Sequence, residues 1–199
     1  QDGMTYAIEP GGESVALVAV DYSKLPEDVI RRQILAIPDA VSPDGIEAYS
    51  VTRIAAGAFA SLTKEGADPA YMGCKALFSD EELPAEADIE ASEAAQHPSD
   101  VEEGVDIDDD GEVDTVADPL EGCVGIVALG IPASISSIED GAFSGSDTLQ
   151  YLVISEDNQT FASFDGALYR AALATLRLIP DGRVGAVRIA PSATDVDPE

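Results

Sequence analysis

The chain has 199 residues, 45% of them hydrophobic, and carries 39 acidic against 10 basic side chains for a net charge of −29. Such a field repels nucleic acid and anionic membranes, because phosphate binding needs clustered Lys and Arg that are missing here, and no run approaches the roughly 18 apolar residues of a membrane helix. The length suits one domain with an elongated core, or one domain carrying an insertion; Trp is absent, so the core rests on Ile, Leu, Val, Ala and five Phe.

In chain order, the first local signal is Pro26–Gln33, where Pro26, Glu27 and Asp28 open a helical turn. Leu35-Ala-Ile37-Pro38 follows, an alternating apolar pair stopped by a proline. Val51-Thr-Arg-Ile54-Ala-Ala-Gly57-Ala58-Phe59 then returns as Ile135-Ser-Ser-Ile138-Glu-Asp-Gly141-Ala142-Phe143, with the apolar positions and the Gly-Ala-Phe ending in register. Leu129-Gly-Ile131-Pro132 precedes the second copy as Leu35–Pro38 precedes the first, and Leu152-Val-Ile154 and Leu176-Arg-Leu178-Ile179-Pro180 continue the beat. From Leu129 to Leu152 the step is 23 residues and from Leu152 to Leu176 it is 24, inside the roughly 20–29 residue range of leucine-rich repeats. Each unit reads as a short strand, a stop at proline, a turn, a second apolar pair and an Ala-Phe corner. Strands this short cannot hide an apolar face alone, so neighbouring units must cover it. Phe59 and Phe143 should then plug the core at equivalent points of successive coils. The fold class is mainly β: a solenoid of short strands with hairpins and few short helices, interrupted by an acidic insertion.

Residues 64–123 fall outside the repeat, which divides the chain into 1–63, the leading unit and first repeat, 64–123, and 124–199, further repeats and hairpins of the same solenoid. Between Ser79 and Glu121, Asp and Glu alternate with Ala, Ser, Pro and Gly, too little apolar surface to offset ordering entropy. Ala85–Gln96 could form an acidic surface helix opened by Pro84. Within the stretch, Asp106-Ile-Asp108-Asp-Asp110-Gly111-Glu112-Val113-Asp114 matches the first nine positions of a calcium loop, its alternate carboxylates able to converge on a hard cation at about 2.3–2.6 Å. Position twelve is Ala117 instead of the bidentate Glu, and Pro119 blocks a standard exiting helix, so an unliganded acidic loop stands beside calcium as a reading. Cys74 and Cys123 flank the insertion and would staple its base in an oxidising compartment. The single histidine, His97, lies in the acidic stretch with no packed wall to hold it against a nucleophile, and no zinc spacing or phosphate loop is present, so the expectation is a non-enzymatic chain.

Further on, Ser155–Thr160 reads as a turn whose Asn158-Gln-Thr160 sequon matters only in a glycosylating host. Asp165-Gly166 between Phe161/Phe164 and Leu168/Tyr169 is a two-residue hairpin signal, and Asp181-Gly182 separates a Leu176–Ile179 strand from a Val187–Ile189 strand.

The string Ile131-Pro-Ala-Ser-Ile-Ser-Ser-Ile138-Glu-Asp-Gly-Ala-Phe143 resembles the repeat of BspA-type leucine-rich-repeat proteins, in which an Ile-Pro pair, a Ser-Val-Thr-Ser-Ile-like run and an Ala-Phe pair recur. Asn158–Tyr169 followed by Leu178-Ile179-Pro180 is similar to that family's hairpin variant, and Met4–Ile8 through Ile54 to its N-terminal leading unit. Residues 64–123, the extra residues at Ser42–Ser50 and the residue between Ile189 and Pro191 depart from the pattern. The resemblance implies a secreted or cell-surface bacterial module without catalysis, in contact with a host matrix or bacterial surface protein. It also implies an alternative for the cysteines, since such repeats often carry a Cys after the Ala-Phe corner: two separate buried thiols. Gln1 opens the chain without a signal peptide, which suits a trimmed secreted product and equally a cytosolic chain, and the array may continue past Glu199. A structural spacer with a calcium-stabilised acidic loop is the competing function. An exposed cluster of Tyr49, Tyr151 and Tyr169 would favour binding, and a uniformly acidic face the spacer.

Overall fold

The computed structural model describes residues 2–42, 47–62, 125–183 and 185–197. Strands dominate these residues, with one short helix and brief 3-10 turns. The chain begins with a hairpin of β1 (Met4–Ile8) and β2 (Ser14–Val20), whose connection folds Gly11 and Gly12 N–H onto the carbonyl of Glu9. A 3-10 turn at Tyr22–Lys24 follows, capped by Asp21, which accepts from Ser23 N–H at 3.1 Å. Helix α1 (Glu27–Arg32) starts directly after Pro26, with Glu27 and Asp28 in its first turn, Arg31 and Arg32 in its last, and Gln33 in the left-handed conformation ending it. That placement of charge complements the helix dipole, and the Pro-Glu-Asp opening is where the sequence signals a helix.

Two parallel ladders carry the architecture. In the first, β2 pairs with β5 (Tyr49–Ile54) and β5 with β7 (Ser137–Ile138), with β6 (Ala128–Ile131) belonging to the other ladder. The register sets Leu17 opposite Ile54 and Ile54 opposite Ile138. In the second, β3 (Ile34–Ala36) pairs with β6 and β6 with β8 (Tyr151–Ile154), aligning Leu35, Leu129 and Leu152. A two-residue strand, β4 (Ala40–Val41), borders β5 antiparallel. Leu17, Leu35, Ile54, Leu129, Ile138 and Leu152 all lie in one contiguous core between the ladders. Burying each such side chain contributes about 1.5–3 kcal/mol, which strands of two to seven residues obtain only from their neighbours.

The repeated corner keeps its geometry. Gly57 and Gly141 both hold positive φ, 70° and 73°, which is why a residue without a side chain stands before Ala-Phe in each copy. Gly57 N–H donates to Gly141 O at 2.9 Å and Phe59 N–H to Ala142 O at 3.2 Å, so the rungs stay hydrogen-bonded through the bend. Phe59 and Phe143 are both buried there.

After β8 the chain forms a hairpin of β9 (Phe161–Phe164) and β10 (Ala167–Arg170) across Asp165-Gly166, as the turn signal predicts. The hairpin covers the free edge of β8: Leu152 N–H donates to Gly166 O and Ile154 N–H to Ser163 Oγ, which withdraws an edge otherwise open to foreign strands. β11 (Thr175–Leu178) pairs with β10, and β12 (Asp195–Val196) runs parallel to β11. The expected strand at Val187–Ile189 is absent from the described structure, and Asp181-Gly182 is a turn without a hairpin. Its backbone goes to other acceptors instead: Gly182 N–H to Leu149 O, Arg188 N–H to the Asp165 carboxylate and Ala190 N–H to the Tyr169 hydroxyl.

The chain leaves the described residues at Leu62 and re-enters at Gly125, and Ile126 N–H donates to Leu62 O at 3.0 Å. The described residues on either side of 63–124 are therefore neighbours.

Candidate functional site

The five carboxylates of the calcium pattern, Asp106, Asp108, Asp110, Glu112 and Asp114, lie outside the described residues, as do Cys74, Cys123 and His97. Among the described residues no three His, Cys, Asp or Glu side chains converge as a metal site would require, and no helix is long and apolar enough to cross a membrane.

The tyrosines do not form an exposed cluster. Tyr169 is fully buried, its hydroxyl accepting from Ala190 N–H at 3.1 Å. Tyr151 is 4% exposed, because the turn after β11 brings Arg183 over its ring, 4.4 Å from the centroid. Tyr49 is half-buried. Alternation along a strand shows that Tyr151 stands on the opposite face from Leu152; it cannot show that a later turn will fold onto that face.

Arg183 belongs to a compact charge cluster. Its guanidinium and the Asp165 carboxylate are 3.2 Å apart with side chains 4% and 5% exposed, and Arg188 reaches the same carboxylate at 3.2 Å from a solvent-exposed position. Burial pushes the Asp165 carboxyl up, but the Arg188 N–H, the Arg188 guanidinium and the Arg183 charge outweigh it and hold the group below the usual carboxylate range. The hairpin turn is thereby pinned to the segment that crosses it.

A second cluster ties successive rungs together. Arg53, on β5, pairs with Glu9 beyond β1 at 2.7 Å and with Glu139 beyond β7, while Glu139 also accepts from Ala56 N–H at 2.9 Å. That backbone hydrogen bond, opposed by burial and reinforced by Arg53, lowers the Glu139 carboxyl below its ordinary range. One rung further on, Arg177 of β11 donates to Ile138 O at 2.7 Å and to Asp140 at 3.1 Å, capping the outer edge of β7 with a side chain in place of a strand. With Lys24 on Asp21 and Arg170 on Asp197, every described lysine and arginine except Arg31 and Arg32 of α1 stands in an ion pair. Most of the described cations are thus matched to carboxylates of the chain itself, Lys24, Arg170 and Arg188 at the surface and Arg183 within it.

One cleft opens at the end of β8, with a volume of about 320 Å³ between the Ser155–Asn158 turn, β9 and the 3-10 turn at Ala171–Leu173. Asn158 builds its wall. Its Nδ2 donates to Pro132 O and Ile135 O, both at 2.9 Å, and its Oδ1 accepts from Thr160 and Phe161 N–H at 2.9 and 2.8 Å. All of its hydrogen-bonding capacity is satisfied internally. The sequon residue is therefore a buried tie between rungs, a role that its turn-like sequence context does not reveal.

No family model and no curated protein matches the chain. Among solved structures it is similar to a leucine-rich repeat protein from Bacteroides capillosus, with 16% identity and a TM-score of 0.43 over 98% of this chain and 94% of that one. It is similar also to a leucine-rich repeat protein from Eubacterium ventriosum, with 22% identity and a TM-score of 0.31, over 35% of this chain and 19% of that one. The pneumococcal vaccine antigen PcpA aligns at 13% identity and a TM-score of 0.29, over 98% of this chain and 59% of the antigen.

Proposed function

We propose that the chain is a leucine-rich-repeat solenoid of the BspA type that works by holding a protein partner, without catalysis, outside the cell or on its surface. The observation that supports this most is the pair of in-register ladders, Leu17–Ile54–Ile138 and Leu35–Leu129–Leu152. Each rung is fixed by the next, so the surface is ordered before a partner arrives and binding loses less entropy. Charge narrows the partner's chemistry. With most of its described cations already matched to its own carboxylates and a net charge of −29, the module suits a host matrix or bacterial surface protein that presents basic patches.

The test is to immobilise the chain and measure association of extracellular matrix and bacterial surface proteins at low and physiological ionic strength. The expected result is a saturable partner with a basic surface whose association rate falls as salt rises. Absence of any saturable partner would favour the second reading, a spacer within a surface protein. Burial of Tyr151 and Tyr169 supports that reading, because it removes two aromatic anchors from the surface. As a spacer, the chain would be stiffened by calcium at Asp106–Asp114. Calorimetric titration with calcium, with and without neutralising Asp106 and Asp110, tests this, and an absence of heat removes it.

A further inference from the structure

We infer that the cleft at the end of β8 receives the basic side chain of a protein partner, a lysine or arginine whose charged end meets Glu156. This deepens the protein-contact reading and rests on it for the source of the side chain. At about 320 Å³ the cleft lies at the small end of ligand pockets, the size for one side chain and not for a larger molecule. Ala162 and Ala172 supply its accessible apolar surface, with Ile154 and Phe161 buried behind them, while Ser155, Ser163 and Glu156 make the larger part of the lining polar. A small apolar patch and a carboxylate in one lining match the two parts of a long basic side chain, an aliphatic stem and a charged head.

The state of each polar group decides the sign of the ligand. Glu156 is exposed and is the charged residue of the lining. Ser155 Oγ accepts from Asp157 N–H at 3.4 Å and Ser163 Oγ from Ile154 N–H at 3.1 Å, which leaves each hydroxyl a further lone pair for an N–H donor. Asn158 is fully engaged and contributes only shape. Arg177, 5.7 Å from the centroid of the Phe161 ring, is held by Asp140 and Ile138 O, and no lysine or arginine stands among the described lining residues. An anion finds no donor charge here. A metal ion finds a single carboxylate, too few ligands for a hard cation.

The part of the lining that Ala172 supplies is also unusual. Ala172 and Leu173 hold positive φ of 67° and 55°, with Ser192 Oγ donating to Leu173 O at 3.1 Å. Two consecutive side-chain-bearing residues in this conformation are strained, and such strain is retained where a ligand wall needs a particular shape.

The experiment uses the full chain labelled with 15N and titrated with Nα-acetyl-lysine methylamide, with the uncharged norleucine analogue as comparison. The expected result is amide perturbation centred on Ser155, Glu156, Ala162 and Ala172. Glu156→Gln should weaken it by roughly three- to fivefold, the norleucine analogue should bind no better than it does to that variant, and Ala162→Tyr, which fills the cleft, should abolish it. Glu27→Gln on α1 should change nothing. Perturbation confined to the acidic stretch 79–121, an undiminished response in Glu156→Gln, or equal binding of both analogues would overturn the inference. The free amino-acid probe makes this outcome separable from the protein-contact reading, which the immobilised-chain experiment decides on its own.

Discussion

The rings of Phe59 and Phe143 lie 5.3 Å apart and 6° from parallel, one in each copy of the repeated corner. They are 84 positions apart in the chain (143 − 59), yet each is the third residue of the same Gly-Ala-Phe. Their contact is the meeting point of two rungs. Phe59→Ala should destabilise the chain by about 3–5 kcal/mol, with Phe143→Ala toward the lower end because its ring is the more exposed of the two. In a double-mutant cycle read by denaturant unfolding, the pair should couple by about 0.5–1.5 kcal/mol. Strict additivity would show that the rings do not stabilise each other.

Among the described residues, Asp165 is the carboxylate that pairs with the buried Arg183. Asp165→Asn keeps a residue tolerant of the left-handed turn but leaves that guanidinium charge unpaired, at a loss of about 3–5 kcal/mol. The sign with pH follows from a folded-state pKa held below the ordinary carboxylate value. The stabilisation is complete above about pH 4 and is lost as pH falls through the lower folded value. Thermal melts of the two proteins should therefore differ most near neutrality and converge in acid. A constant difference down to strong acid would contradict the pairing.

Asn158 joins Pro132 O and Ile135 O on one side to Thr160 and Phe161 N–H on the other. Asn158→Ala should cost about 2–4 kcal/mol, since it leaves buried groups without partners. Asn158→Asp should cost more at neutral pH, because a carboxylate oxygen then faces two carbonyls, and should recover in part on acidification. Chemical denaturation at two pH values measures both, and equal stability of Asn158→Asp at each would contradict the contact of the Asn158 Nδ2 with the two carbonyls.

Gly182 sits where the turn after β11 meets the backbone before β8. A Cβ there would stand 2.6 Å from Asp147 O and 2.7 Å from Leu149 O, so Gly182→Ala should lose about 1–3 kcal/mol and expose Tyr151. Gly11→Ala, which meets nothing within 4 Å, should change stability by less than about 0.5 kcal/mol. Tyrosine fluorescence quenching along the unfolding curve distinguishes them. A silent Gly182→Ala would mean that this turn does not hold Arg183 over Tyr151.

Much of the framework was legible because it is periodic. Leu129 and Leu152 could be aligned from spacing and Leu35 with Leu129 from the shared Leu-x-Ile-Pro string, and Asp165-Gly166 announced its hairpin through local turn chemistry. Strand β2 was not, since Val15, Ala16 and Leu17 are buried in succession and break the alternation; its register shifts against both neighbours account for that. The Val187–Ile189 strand was misread for a related reason. An apolar pair after a turn is a strand only if a free edge awaits it, and here Asp165 and Tyr169 take the backbone donors instead.

The amino-acid order alone determined the repeat, the corner glycines and the acidic excess, because each follows from interactions between residues close in sequence or from counting charge. Tertiary structure alone decided that Tyr151 and Tyr169 face inward, that Arg183 and Asp165 share a dry pair, and that Asn158 ties rungs beside a cleft. Burial and pairing depend on which distant segment lies across a side chain, and no local period carries that information.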